Sequence, residues 1–306
     1  MKMFEQVQFD SNPTVLAAWP GMGNVGLIAV DYLRRKLDSK IFAEIDMSPF
    51  FIPDSILVKE GIAQLPEIPT SIFYYSKDPD LIIFESNSQV SGREGILIIK
   101  TILDIIVQFQ IEHIFTFAAF AHPMSHRNDS EVLVTCNTEK LLMSLKEKGV
   151  VPMPDGYIAG LNGLLLGVAA SRNINAACLL GTIPGYTINL SYPKASLQIV
   201  KFISEILEFQ IDITELDQGV SDMDQQFEAI EERIREFVPS VNRGLDQEMS
   251  EIEDEKVPHY IMNKIERLFD EARKDRSKAA FLKEELDRWN LFELYENRFL
   301  DLFKDK

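Results

Sequence analysis

Five short apolar runs most limit what this chain can fold into. They are "TVLAAW" (14–19), "DLIIFE" (80–85), "HIFTFAAF" (113–120), "EVLVTC" (131–136) and "NAACLLGTI" (175–183). Pro, Gly, Asn and Asp flank them, and most are rich in β-branched or aromatic residues, so they read as strands. A strand with one wet face alternates apolar and polar residues, whereas these runs are apolar almost throughout and must be covered on both faces. Helix candidates lie between and after them. They are "GREGILIIKTILDIIVQFQ" (92–110), "TEKLLMSLKEKG" from a Thr138 N-cap to Gly149, "GLNGLLLGVAASRN" (160–173) and "YPKASLQIVKFISEILEFQ" (192–210). The expectation is an α/β fold with a mainly parallel sheet and helices on both faces. With 306 residues, 46% of them hydrophobic, the chain can bury a large core.

Composition changes near residue 217, and two domains are expected, 1–217 and 218–306. Beyond that point strand signals stop and charge rises. Met223, Phe227, Ile230, Ile234 and Phe237 recur at 4-3-4-3 spacing, which makes one helical stripe closed by Pro239. A second stripe runs Val257, Ile261, Ile265, Leu268, Ala272. A third runs Leu282, Leu286, Trp289, Phe292 and on through Phe299 and Phe303. The default is self-packing into a helical appendage. The aromatic set Trp289, Phe292, Tyr295 and Phe299 exceeds what a small appendage needs, which marks it as a candidate subunit or partner interface.

After the first apolar run, Gly21, Gly23 and Gly26 form a G-x-G-x-x-G that opens the helix-like "LIAVDYLRRKL". That is the arrangement of a dinucleotide-binding turn, and Glu44 or Asp46 lies where a ribose-binding acid would fall. Two features argue against it. Pro20 precedes Gly21 where the strand should run straight into the turn. The segment 47–75 carries Pro49, Pro53, Pro66 and Pro69 and reads as extended chain and turns, with no crossover helix. NAD is therefore not expected, nor any other cofactor. The glycines serve tight turning and close helix packing, or their N–H groups hold an anion at the helix start.

Other chemistry is sparse. His122, His126 and Asp129 fall in "AHPMSHRNDS", which reads as an exposed loop because Pro123 disfavours the helix that metal spacing would need. Glu85 ends a strand, where a carboxylate in an open α/β sheet can face a cleft. Asn162 and Gly163, in "GLNGLLLG", are polar and small options beside the same cleft. No Walker A, G-x-S-x-G, H-E-x-x-H or C-x-x-C motif occurs. Cys136 and Cys178 lie in apolar runs and read as reduced core thiols. A net charge of -17 disfavours nucleic acid and anionic membranes as partners. "MKMFEQVQFDSNP" lacks an apolar signal region and no run reaches the roughly 20 residues of a membrane span, so a cytoplasmic protein is expected.

Five segments together, "AWPGMGNVGLIAVDYL", "FAEIDMSPFF", "AGLNGLLLGVAA", "CLLGTIPGY" and "YPKASLQIVKFI", occur in an order that resembles the proteasome assembly chaperone 2 family over roughly residues 10–217. The resemblance implies a fold like that of purine nucleoside phosphorylases, with the Gly21–Gly26 loop at the phosphate position. It also implies a homo-oligomer, trimer or larger, and binding to proteasome α-subunits. The family's docking tail ends in a hydrophobic residue, Tyr and any residue; this sequence ends "FLDLFKDK", so docking by such a tail is not expected.

The favoured reading is a non-catalytic, homo-oligomeric assembly chaperone or interaction protein. The alternative is an enzyme or binder of a nucleoside or phosphorylated small molecule. It would use a cleft formed by Gly21, Gly23, Asn24, Gly26, Glu85, Asn162 and Gly163. An enzyme cleft requires convergent polar groups; an interaction surface is shallow or apolar.

Overall fold

Every residue of strand β2 (Thr14–Ala18) is buried, because both its faces are covered. Val15 and Ala17 enter one apolar core, Leu16 and Ala18 another. The same alternation runs through β7 (Asp80–Ser86), β8 (Ile114–His122), β9 (Val132–Cys136) and β11 (Ala176–Pro184), the remaining apolar runs. This computed structural model describes residues 2–51, 53, 55–237, 265, 268, 269, 272, 273, 278–288, 292, 295, 299 and 302, with the backbone alone at 231–237, 284 and 288. The chain forms two compact units, Met1–Met249 and Ser250–Lys306.

The first unit holds a nine-stranded sheet in the order β1-β3-β6-β7-β2-β8-β11-β9-β10, where β1 is Lys2–Met3, β3 Lys40–Glu44, β6 Ser71–Lys77 and β10 Val151–Pro152. Strands β7, β2, β8 and β11 run parallel. On one side β7, β6, β3 and β1 alternate direction, and on the other β9 is antiparallel to β11. The sheet is thus mixed rather than mainly parallel. Strand β6 explains much of the difference. It begins inside the proline-bearing segment that reads as turns, and Lys77 pairs with Asp80 across a two-residue link. No crossover helix fits in two residues, so β6 and β7 must be antiparallel. Both outermost strands are only two residues long.

One core packs beneath helices α1 (Val25–Lys36), α3 (Glu139–Glu147), α5 (Pro193–Ile206) and α6 (Thr214–Phe237). The other packs beneath α2 (Gly92–Ile106) and α4 (Leu161–Ala170). Thr138 caps α3 as its sequence predicts, its hydroxyl accepting from the Leu141 N–H at 3.4 Å. A separate hairpin joins β4 (Leu57–Lys59) to β5 (Ile62–Gln64).

The composition change at residue 217 falls inside α6. Its Leu216, Met223 and Phe227 belong to the first core. Burying Phe227 contributes about 1.5–3 kcal/mol. Ile230 departs from the expected buried stripe: it is 50% exposed. The side chains of Ile234 and Phe237 lie outside the described residues. The Asp212 carboxylate caps α6, accepting from the Thr214 N–H at 3.0 Å and hydroxyl at 2.7 Å, with Lys36 Nζ at 3.0 Å. The two Thr214 donors, then Lys36, hold this carboxyl well below the usual carboxylate range. A group depressed in the folded state contributes stability above its unfolded value, about 3.9, and loses it as pH falls toward the folded one. The urea-midpoint gap between wild type and Asp212→Ala is therefore expected to be full near neutrality and to shrink below about pH 4. A gap that widened in acid would contradict the cap.

In the second unit Ile265, Leu268, Phe269, Ala272, Ala279, Leu282, Leu286 and Phe299 form a core of their own, joined by α7 (Ala279–Arg288). Of the candidate interface residues, Phe299 is buried there, with Phe292 at 5.5 Å ring to ring, and Tyr295 lies 5.6 Å from Phe269. Trp289, with Val257 and Ile261 of the second stripe, lies outside the described residues.

Candidate functional site at the glycine loop

The loop between β2 and α1 turns through a single 3-10 turn, Met22–Asn24. Gly23 is left-handed at φ 62°, which suits glycine, and a Cβ there would come 3.2 Å from the Tyr192 Cβ. Asn24 follows at φ 50°, a conformation asparagine tolerates. Gly26 lets α1 lie directly on β8: an added Cβ would sit 2.2 Å from the Phe117 carbonyl oxygen.

Three amides of the loop are already bonded within the protein. Gly23 N–H donates to Ile188 O at 2.8 Å, Asn24 N–H to Gly21 O at 3.0 Å, and Val25 N–H to Met22 O. Gly23 O in turn accepts from Tyr192 N–H at 2.8 Å. The glycine loop is thereby stitched to the segment after β11. An anion at this helix start would have to compete with those carbonyls for the same donors.

Asn162 is buried at the start of α4, and its side-chain amide clips the backbone of Trp19. Its Oδ1 accepts from Trp19 N–H at 3.2 Å and its Nδ2 donates to Trp19 O at 3.4 Å. Thr116 Oγ1 donates to the Asn162 carbonyl at 2.8 Å. Gln89 completes the clamp, donating to Pro20 O at 2.7 Å and accepting from Leu161 N–H at 3.1 Å. Gly163 is small because Ile158 crosses it; a Cβ would meet Ile158 Cγ2 at 2.6 Å. Asn162→Ala is expected to cost about 1–3 kcal/mol by stranding the buried Trp19 N–H and C=O. A urea midpoint equal to wild type would show the clip is dispensable.

Glu85 does not join Asn162. Its neighbour Phe84 points into the α2–α4 core, so Glu85 points to the opposite face and pairs with Arg34 Nε of α1 at 3.1 Å. Arg34 also pairs with Asp31 and lies 4.8 Å over the Tyr74 ring. Burial raises the Glu85 carboxyl, with the Arg34 charge opposing it. Glu44 and Asp46 are remote as well: β6 and β7 separate β3 from β2, and Asp46 accepts from the Ser48 N–H and hydroxyl.

The loop after β8 is not the solvated segment its polarity predicts. His122 and Asp129 are exposed, but His126 is buried. The Tyr186 hydroxyl accepts from His126 N–H at 2.8 Å, the Phe227 ring stacks on the imidazole at 5.2 Å, and the buried Lys194 ammonium donates to His126 O. Lys194 Nζ also pairs with Asp224 Oδ1 of α6 at 2.9 Å. Beside it Tyr192 is buried, and its hydroxyl is pushed up chiefly by that burial. No local pattern in the sequence marks this polar knot. Its partners come from α6 and from two loops.

Above it, Met22, Tyr186, Ile188 and Leu190 present large apolar side chains to solvent. Burial pushes the Cys136 thiol up to about 11 and the Cys178 thiol up to about 12, so neither is an activated nucleophile. Among the described residues no group of three His, Cys, Asp or Glu converges as metal ligands, and no helix is long and apolar enough to cross a membrane.

These features define a mixed α/β protein whose glycine loop, at the end of central strand β2, is tied down by its own bonds and has large apolar side chains exposed beside it. The chain belongs to the PAC2 family, whose model matches residues 15–236. It is similar to the crystal structure of Pyrococcus furiosus PbaB, an archaeal proteasome activator, with 27% identity and a TM-score of 0.64 over 75% of this chain and 97% of that one. P. furiosus PbaA, an archaeal homologue of proteasome-assembly chaperone, shares the fold at 23% identity and a TM-score of 0.60, covering 78% of this chain and 94% of that one. An uncharacterised protein of Methanocaldococcus jannaschii is 27% identical over 190 residues, 61% of this chain and 72% of that protein.

Proposed function

We propose that this chain is a non-catalytic, homo-oligomeric assembly chaperone or interaction protein of the cytoplasm whose partner is the α-subunits of a proteasome. The observation that carries the reading is the glycine loop, where the groups an enzyme would aim at a ligand are turned to internal bonds. The Gly23, Asn24 and Val25 amides, the Asn162 carboxamide and the Glu85 carboxylate all have partners within the chain. The large side chains that face water around the loop are Met22, Tyr186, Ile188 and Leu190, with Asn24, Asn189 and Ser191 between them, a mixture that suits a protein contact better than a catalytic cleft. Family membership and the likeness to PbaB support the choice of partner. The purine nucleoside phosphorylase-like reading of the fold and the role of residues 218–306 as an appendage belong to the same proposal.

The test is capture from native lysate, followed by sedimentation with the purified α-subunits. Co-sedimentation at micromolar concentration is expected, along with its loss in Ile188→Asp. Calorimetric titration with phosphate, a nucleoside and NAD is expected to give no heat. Micromolar binding of any of these with no α-subunit binding would overturn the reading in favour of a small-molecule site.

A further inference from the structure

Strands β4 and β5 stand apart from the large sheet. Among the described residues they pair only with each other, Leu57 with Gln64, Val58 with Ala63 and Lys59 with Ile62. All six strand residues are exposed. Because side chains alternate along a strand, Val58 and Ala63 share one face, and the flanking Ile56 and Leu65 continue it. That face is apolar throughout, with Val58 61% and Leu65 77% exposed. The other face mixes Leu57 and Ile62 with Lys59 and Gln64.

A hairpin of three-residue strands is marginal in water without a layer packed on it. A bare apolar face of this kind also invites indiscriminate association. The cover must therefore be present whenever the chain is folded, which favours a partner of equal abundance. Charge narrows the choice further. The chain carries a net -17, yet residues 56–65 hold only Lys59 and Glu60, one of each sign. A basic partner is drawn to the acidic remainder of the surface, and an anionic membrane is repelled by it. Two copies of so acidic a chain repel one another except where a patch is neutral. The hairpin is such a neutral patch, and its apolar faces can close on each other without bringing like charges together.

We propose that the Ile56–Val58–Ala63–Leu65 face of the hairpin is the surface through which one copy of this chain packs on a second. The proposal rests on the homo-oligomer reading above and adds the place of contact. Light scattering on wild type is expected to give a multiple of 34.9 kDa. Val58→Asp is expected to give a smaller multiple, with melting temperature and α-subunit capture retained. Ala63→Cys treated with a bis-maleimide is expected to yield covalently linked pairs at least tenfold faster than Glu147→Cys on α3. Cys136 and Cys178 contribute little, since burial raises both thiols.

A Val58→Asp protein of unchanged mass, or cross-linking no faster than the control, overturns the proposal. Unchanged mass with lost α-subunit capture assigns the hairpin to that other protein and overturns it too. If Val58→Asp fails to fold, the cross-linking rate decides. A wild-type mass of 34.9 kDa overturns both the homo-oligomer reading and this contact. An intact oligomer that ignores α-subunits overturns only the chaperone reading.

Discussion

Gly26→Ala is expected to yield little or no soluble folded protein. The new methyl would occupy space 2.2 Å from the Phe117 carbonyl oxygen and 2.9 Å from its carbon, both main-chain atoms of a central strand. Relief requires lifting α1 off β8, and α1 carries Val25, Ala29, Val30 and Leu33 into the first core. Overpacking against rigid backbone costs about 3 kcal/mol or more, a large share of a typical stability of about 5–15 kcal/mol. Gly21→Ala supplies the control. Its Cβ would have nothing nearer than Asn162 Nδ2 at 3.9 Å, and its φ of -162° is ordinary extended backbone. That variant is expected to stay within about 1 kcal/mol of wild type. Equal urea midpoints for the two variants would show that the first and last glycines of the motif do the same job.

Asp224→Ala is expected to have the second largest effect. It leaves the Lys194 ammonium, with a side chain only 9% exposed, facing the His126 carbonyl without its carboxylate. Removing one member of such a pair costs about 3 kcal/mol, a fall in Tm on the order of 6–12 °C. The loss is expected to spread, because Phe227 stacks on His126 and meets Tyr186 edge-on at the same spot. The double variant Lys194→Met with Asp224→Leu removes the charge and its partner together, and is expected to recover most of the lost stability. A double variant no better than Asp224→Ala alone would mean that geometry, not the stranded charge, sets the cost.

The parts of the fold legible in sequence are those fixed by local pattern. Apolar continuity marks β2, β7, β8, β9 and β11, because burial on both faces leaves no position for a polar residue. Thr138 announces α3 for an equally local reason. Strand β6 is hidden because its "SIFYY" follows a proline-rich stretch, and its two-residue link to β7 is Asp78-Pro79 rather than a glycine-bearing hairpin turn. The site was legible in residue choice but not in role. Asn162 stands out as a polar residue in an apolar helix, yet its partner Trp19 is 143 positions away. His126 reads as exposed because its neighbours are polar, and the rings and ammonium that cover it come from α5, α6 and the loop after β11.

The two-residue strands at either end of the large sheet carry a consequence for how any other chain can approach it. A neighbour laid along β1 or β10 would find one or two rungs, and Pro152 withholds an N–H from the second. Backbone pairing is indifferent to sequence, so a long open edge would let unrelated strands add on and polymerise. Here that route is all but shut. On the functional reading proposed above, recognition falls to side-chain surfaces such as the Met22, Ile188 and Leu190 rim and the hairpin face. Side chains, unlike a bare strand edge, distinguish one partner from another, so that reading makes selectivity a matter of surface residues rather than of backbone pairing.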